Sequence, residues 1–184
     1  MVIREGDAVG PAQLNRVDRH VYLADGTVVA RGILKGAGVG TLNDGVVFAV
    51  SPLGVVSIVL RKGNPVADFG GSQISVLTRF DISPAGEWVT FFTLVNGSGD
   101  TSAVNNIALA KGKVGVAAPS LTLRKGDAYY LSGLVKTLYG FLLTDAVANT
   151  AGGTGGHGSA LNDAGQIAAG LYFSDSTQGI FVGP

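Results

Sequence analysis

The feature that most constrains this chain is a short phrase that occurs three times: VIREGD (Val2 to Asp7), VLRKGN (Val59 to Asn64) and TLRKGD (Thr122 to Asp127). Its glycines, Gly6, Gly63 and Gly126, lie 57 and 63 residues apart. A second segment recurs between them, as LNRVDRHVYLADG (Leu14 to Gly26), ISVLTRFDISPAG (Ile74 to Gly86) and VKTLYGFLLTDA (Val135 to Ala146). Apolar positions coincide at Leu14/Ile74/Val135 and Val17/Leu77/Leu138, and His20 falls in line with Phe80 and Phe141, at offsets of 60 or 61. Self-similarity at such a period marks a fold built by stacking one supersecondary unit.

The unit reads as β-structure. GTVVARGIL and GEWVTFFTL are rich in β-branched and aromatic residues, VVFAV and NNIALA supply another short strand, and IVLRK or LTLRK closes the copy. Turns such as ADG, SPAG and NGSGD separate them. No long window carries a 3.6-residue period, so helices should be short or absent. The expected fold is all-β and β-propeller-like. It has three four-stranded blades, near residues 11–63, 72–126 and 133–184, with a strand at 2–7; a three-sheet β-prism is the alternative. The third copy has its hairpin, Gln166 to Phe173 and Gly179 to Val182, but no closing LRKGD strand. The N-terminal VIREGD is the spare one, so Val2, Ile3 and Arg4 are expected to complete the last blade, in the same or a partner chain.

Composition limits the partners. The 184 residues suit one domain with a sizeable core, and the 29 glycines suit many tight turns. Thirteen basic and thirteen acidic residues cancel, leaving no field to draw nucleic acid or an anionic membrane. No apolar run is long enough to insert in a bilayer. The N-terminus lacks the basic and apolar regions of a signal peptide. With no cysteine there are neither disulfides nor thiolate metal sites.

At NDAGQIAA the chain resembles a family of bacterial surface and exported proteins built from tandem N-x-x-G-x-x-A-F repeats. Asn162, Gly165 and Ala168 match, while Ala169 stands in place of Phe. SPAGEWVTF (Ser83 to Phe91) and NDGVVFA (Asn43 to Ala49) are degenerate forms, and REGDAVGPA is similar to the phrase that ends the family's units. The resemblance implies propeller-blade-like units and an exported or cell-surface setting, with the cytoplasm as the alternative. It brings no catalytic residues. Three blades are fewer than the four to eight of typical propellers, so a homodimer supplying six is expected.

The chemical candidates are few. The repeated Gly-Asp or Gly-Asn could line a cation site, but Asx after Gly more often makes a turn through its own side chain. GAGVGT (Gly36 to Thr41) lacks the lysine and following helix of a phosphate loop. His157 sits in a glycine-rich insertion, Thr150 to Asp163, as a candidate binding residue, while His20 reads as a core residue. No metal or cofactor is expected, since two separate histidines do not make a zinc site. Trp88 reads as core. Tyr129 and Tyr130 follow the RKGD turn, and because neighbouring strand residues face opposite ways, at least one of them should be accessible. Rim packing is the first reading, and a sugar-stacking platform is the functional alternative that makes both candidate ligand-binding residues. The expected function is a non-catalytic binding or assembly module for a glycan or protein ligand, with a glycan-active hydrolase as the alternative.

Overall fold

The computed structural model describes residues 3–116, 119–143, 160–162 and 164–183. It is all-β, with a single 3-10 turn at Ala67–Phe69. The first sheet contains β1 (Ala8–Val9), β2 (Ala12–Tyr22), β3 (Val28–Lys35), β4 (Gly45–Val50) and β5 (Val56–Arg61) in that order. The second contains β6 (Pro65–Val66), β7 (Ser72–Ile82), β8 (Glu87–Leu94), β9 (Ile107–Lys113) and β10 (Ser120–Arg124), again in sequence order. The third contains β11 (Ala128–Leu131), β12 (Leu134–Leu142), β13 (Ile167–Phe173) and β14 (Gln178–Gly183). All pairings are antiparallel meanders. Among the described residues the units are therefore five-, five- and four-stranded, where four strands each were expected.

The recurring phrase is a hinge between sheets. Each copy makes a tight turn in which the residue after glycine donates its N–H to the arginine carbonyl: Asp7 to Arg4, Asn64 to Arg61 and Asp127 to Arg124. The glycines take φ of +92°, +78° and +91°, as the third residue of a type II turn requires. Each glycine then donates to the long strand of the new sheet, Gly6 to Leu14, Gly63 to Ile74 and Gly126 to Leu138, and each of those residues returns a bond to the Asx carbonyl. In the second and third copies, half of the phrase ends one sheet and half opens the next.

Those bonds also set the true register of the repeat. Leu14, Ile74 and Leu138 are equivalent, each at most 1% exposed. The match of Leu14 and Ile74 with Val135 is therefore three residues out in the third copy, and Val135 is 71% exposed. The cause is the longer opening hairpin, β11 with the start of β12, which moves the buried position along the chain.

The sheets stack face to face in chain order. The face of the second sheet that carries Ile74, Trp88, Phe92 and Leu94 packs on Val29, Val47, Ala49 and Leu60 of the first. Its opposite face, carrying Val89, Leu109 and Leu123, packs on Leu138, Ile167, Ala169, Leu171 and Phe173 of the third. Aromatic edge-to-face contacts accompany this packing: Phe91 meets Phe141 across the second interface, and Phe69 meets Phe92 within the second unit. A third cluster lies on the far face of the first sheet, around Leu14, Val46 and Phe48.

Within the chain, the N-terminal segment does not complete the third sheet. Ile3 packs into the cluster on the far face of the first sheet, and among the described residues β14 pairs only with β13. The reason is the hinge turn, which ties Gly6 to Leu14 and so keeps the residues before it at the first sheet.

Candidate functional site

Repeat equivalence turns ordinary surface residues into a site. Pairing β13 with β14 places Ile180 opposite Gly170 and Val182 opposite Ala168. In the first sheet the position of Ile180 is held by Val47, and in the second by Leu109. Val47 and Leu109 are both 0% exposed, because the next sheet covers them; Ile180 is 82% exposed and Val182 70%. Leu142, Ala168 and Tyr172 lie on the same face and are exposed too. The third sheet thus ends the stack with a contiguous apolar face of the kind that marks an interaction surface. Its outer strand, β14, is also a free edge among the described residues, presenting unpaired backbone groups.

The other end of the stack is open in a complementary way. Val17, His20 and Tyr22 of β2 stand where Leu77, Phe80 and Ile82 stand in β7. Leu77 is buried and Phe80 and Ile82 are half-buried against the first sheet, whereas Val17, His20 and Tyr22 are all exposed. The expectation of a core role for His20 is corrected accordingly: the position is a core position, but no sheet covers it here. Its ring lies edge-on to Tyr22, with centroids 5.8 Å apart.

Tyr129 turns inward against Phe173, and burial, together with the nearby Asp127 charge, pushes its phenol pKa up. Tyr130 turns outward, opposite Val135, and is 75% exposed. His157 lies outside the described residues. Trp88 is buried beside Phe80, as its strand position led one to expect, although its indole nitrogen has no hydrogen-bond partner among the described residues. The carboxylates of Asp7 and Asp127 accept the N–H of Arg4 and Arg124, so they brace the hinge turns. The Gly36–Thr41 loop is held by the Asn43 side chain, which accepts from Gly40 and donates to the Gly38 carbonyl. No group of three or more metal-ligating side chains occurs among the described residues.

A groove of about 480 Å³ opens where the first hinge meets the second sheet, lined by Val39, Asn43, Arg61, Lys62 and Gln73 among others. Its cations are already engaged. Arg61 Nε donates to the Asn43 carbonyl at 2.9 Å, and Lys62 pairs with Asp44 at 3.0 Å. The second hinge repeats this bond, Arg124 Nε to the Asn105 carbonyl at 2.9 Å, and adds Asp100 and Thr101. The arginine is a recurring brace between a sheet's last strand and the loop beside it.

Sequence reading missed Ile180, Val182, Tyr22 and Val17 as functional residues, because apolar residues on alternating strands look like core. The available signal was positional: they hold the repeat's interface positions at the two ends of the array.

No curated protein and no solved structure matches the chain. No helix of the described residues is long and apolar enough to cross a membrane. One family profile matches residues 1–184, end to end, and the chain belongs to that family of unknown function, DUF7453.

Proposed function

We propose that the chain is an assembly module, joining protein to protein through the two open ends of its sheet stack, with no reaction of its own. The observation that carries this is the contrast at one repeat position: Ile180 is 82% exposed, while its counterparts Val47 and Leu109 are fully buried between sheets. A face patterned for burial and left open is a face for a partner. The partner of this reading is a second copy. Head-to-tail contact of two chains brings the third sheet of each onto the first sheet of the other, giving six sheets in a ring, within the range propellers use. The exported setting implied by the tandem-repeat resemblance belongs to the same reading.

Light scattering across a concentration series tests it. The expected mass is twice the 18.6 kDa chain, and Ile180→Lys should return it to one chain. A single-chain mass at every concentration would sink the reading. Tyr130, standing out from its strand opposite Val135, supports a second role, stacking against a sugar ring. A glycan array with Tyr130→Ala as control checks it: loss of a specific signal supports the role, and an unchanged signal or none removes it.

A further inference from the structure

We infer that the free edge of β14 is a strand-acceptor site, and that it takes up Ile3 and Arg4 of a second copy in one defined register. This rests on the assembly reading and makes it specific.

The chain contains two hinges between sheets, and their pairing fixes a register. In the first sheet β5 lies beside β4, with Arg61 opposite Val46 and Leu60 opposite Val47. In the second, β10 lies beside β9, with Arg124 opposite Ala108 and Leu123 opposite Leu109. Leu60 and Leu123 do two things at once: they pair within their own sheet and pack on the next one. Ile3 stands at the same place in the phrase and already does the second of these, packing on the first sheet beside the Leu14, Val46 and Phe48 cluster. Its sheet partner is what the single chain lacks. The third sheet has the opposite deficiency, since β14 corresponds to β4 and β9 but has no strand on its outer side among the described residues.

Carrying the register across gives Arg4 opposite Gly179 and Ile3 opposite Ile180. The arginine brace carries over too. Arg61 and Arg124 donate Nε to the carbonyls of Asn43 and Asn105, each one residue before the loop residue whose carbonyl accepts the N–H of Leu34 or Leu94. In the third sheet that acceptor is Thr177, which receives the Phe173 N–H, so the brace of Arg4 falls on the Ser176 carbonyl of the other copy. Arg4 is exposed in the single chain, free to make that bond. The hinge turn prevents a chain from filling its own edge, which makes the donor a second molecule.

The absence of native cysteine makes the register directly testable. Chains carrying Ile3→Cys and chains carrying Ile180→Cys are mixed at equal concentration and oxidised mildly. Paired antiparallel residues bring Cα atoms to about 4.5–5.5 Å, within disulfide reach, so a mixed disulfide dimer should form in preference to either homodimer. Ile3→Cys mixed with Val135→Cys, which is exposed but off the edge, should not cross-link. Light scattering on the same unoxidised samples separates the two failures, and melting curves confirm that the variants fold. A two-chain mass without the Ile3–Ile180 cross-link overturns the acceptor site and leaves the assembly reading standing. A one-chain mass overturns both. Arg4→Cys paired with Gly179→Cys checks the same register independently, and Ile3→Cys paired with Val182→Cys samples a strand shifted by two residues; a cross-link at Val182 in place of Ile180 would contradict the assignment.

Discussion

The second and third sheets are built from one repeat, yet they solve different problems. The second is covered on both faces, so Trp88 and Phe92 on one side and Val89 and Leu109 on the other are all at most 2% exposed. The third buries Ile167, Ala169, Leu171 and Phe173 on one side only, and leaves Leu142, Tyr172, Ile180 and Val182 open on the other. Strand alternation is identical in the two; what differs is whether a neighbour follows. Apolar patterning on a strand therefore reports that a face is meant to be covered, without saying that the same chain covers it.

The contrast can be broken most forcefully at its buried end. Leu109→Ala removes side-chain volume from the interface of the second and third sheets, and should cost about 2–5 kcal/mol. The loss should appear in chemical denaturation at every protein concentration, because the contact is within one chain. A loss that vanishes on dilution would mean the interface is not intrachain.

The hinges give a graded series. Arg124 is 7% exposed and bonded to Asp100, Thr101 and the Asn105 carbonyl, so Arg124→Ala should cost about 1–3 kcal/mol through the polar groups it strands. Arg61→Ala, with a half-buried arginine on one carbonyl, should cost less. Arg4→Ala should leave the single chain within about 0.5 kcal/mol while weakening association. Urea midpoints measured below and above the association range give the order, and an Arg4 variant as damaged as the Arg124 variant on dilution would contradict it.

Acid should act through the carboxylates. Hydrogen bonds hold Asp25, Asp100 and Asp175 below the usual carboxylate value, from the Thr27 backbone, Arg124 and Lys136 respectively, while burial raises Asp127. A lowered carboxylate stabilises the fold above its unfolded pKa, about 3.9, and that contribution is lost as pH falls through the folded value. A raised one acts in the opposite sense, gaining stability for the fold on acidification. With the lowered groups in the majority, the urea midpoint should drop between pH 5 and pH 3. A midpoint that rises over that interval would contradict the assignment.

The smallest expected effect on the single chain is at the open end. Ile180→Lys should change stability by no more than about 0.5 kcal/mol in the dilute chain, because the residue is already in water there. At high concentration it should remove the concentration-dependent part of the melting temperature, which comes from mass action on the folded dimer. Deleting residues 1–4 should do the same and also uncover the Leu14 and Phe48 cluster, so its effect on the dilute chain should be the larger of the two.

Much of this fold was legible in the sequence, and the reasons are physical. Glycines at positive φ in the hinges cannot easily be replaced, so Gly6, Gly63 and Gly126 keep the repeat visible where side chains have diverged. Asn162 and Gly165 are legible for the same reason. The asparagine oxygen accepts the N–H of Ala164 and Gln166, and the glycine adopts φ of +76°. Register was less legible. Hairpins of different length between hinge and long strand displaced Leu138 from its counterparts, and apolar identity alone could not distinguish it from Val135. The candidate site was hardest to see. Ile180 and Val47 have the same kind of side chain on equivalent strands, and only the position of their sheets in the stack separates an interface from a core. Of the two tyrosines singled out after Gly126, strand alternation put one inward and one outward, but it could not say which.

Hydrogen–deuterium exchange of the intact protein tests the two-chain closure most directly. Backbone amides of a covered edge strand exchange slowly, and those of a free edge exchange quickly. Closure predicts protection at residues 178–183, together with protection at 17–22 on the opposite end of the stack, and predicts that Ile180→Lys exposes both segments at once while leaving β8 and β9 unchanged. Rapid exchange of residues 178–183 in the unmutated protein, at a concentration where β8 and β9 are protected, would show that β14 is a bare edge and would contradict closure.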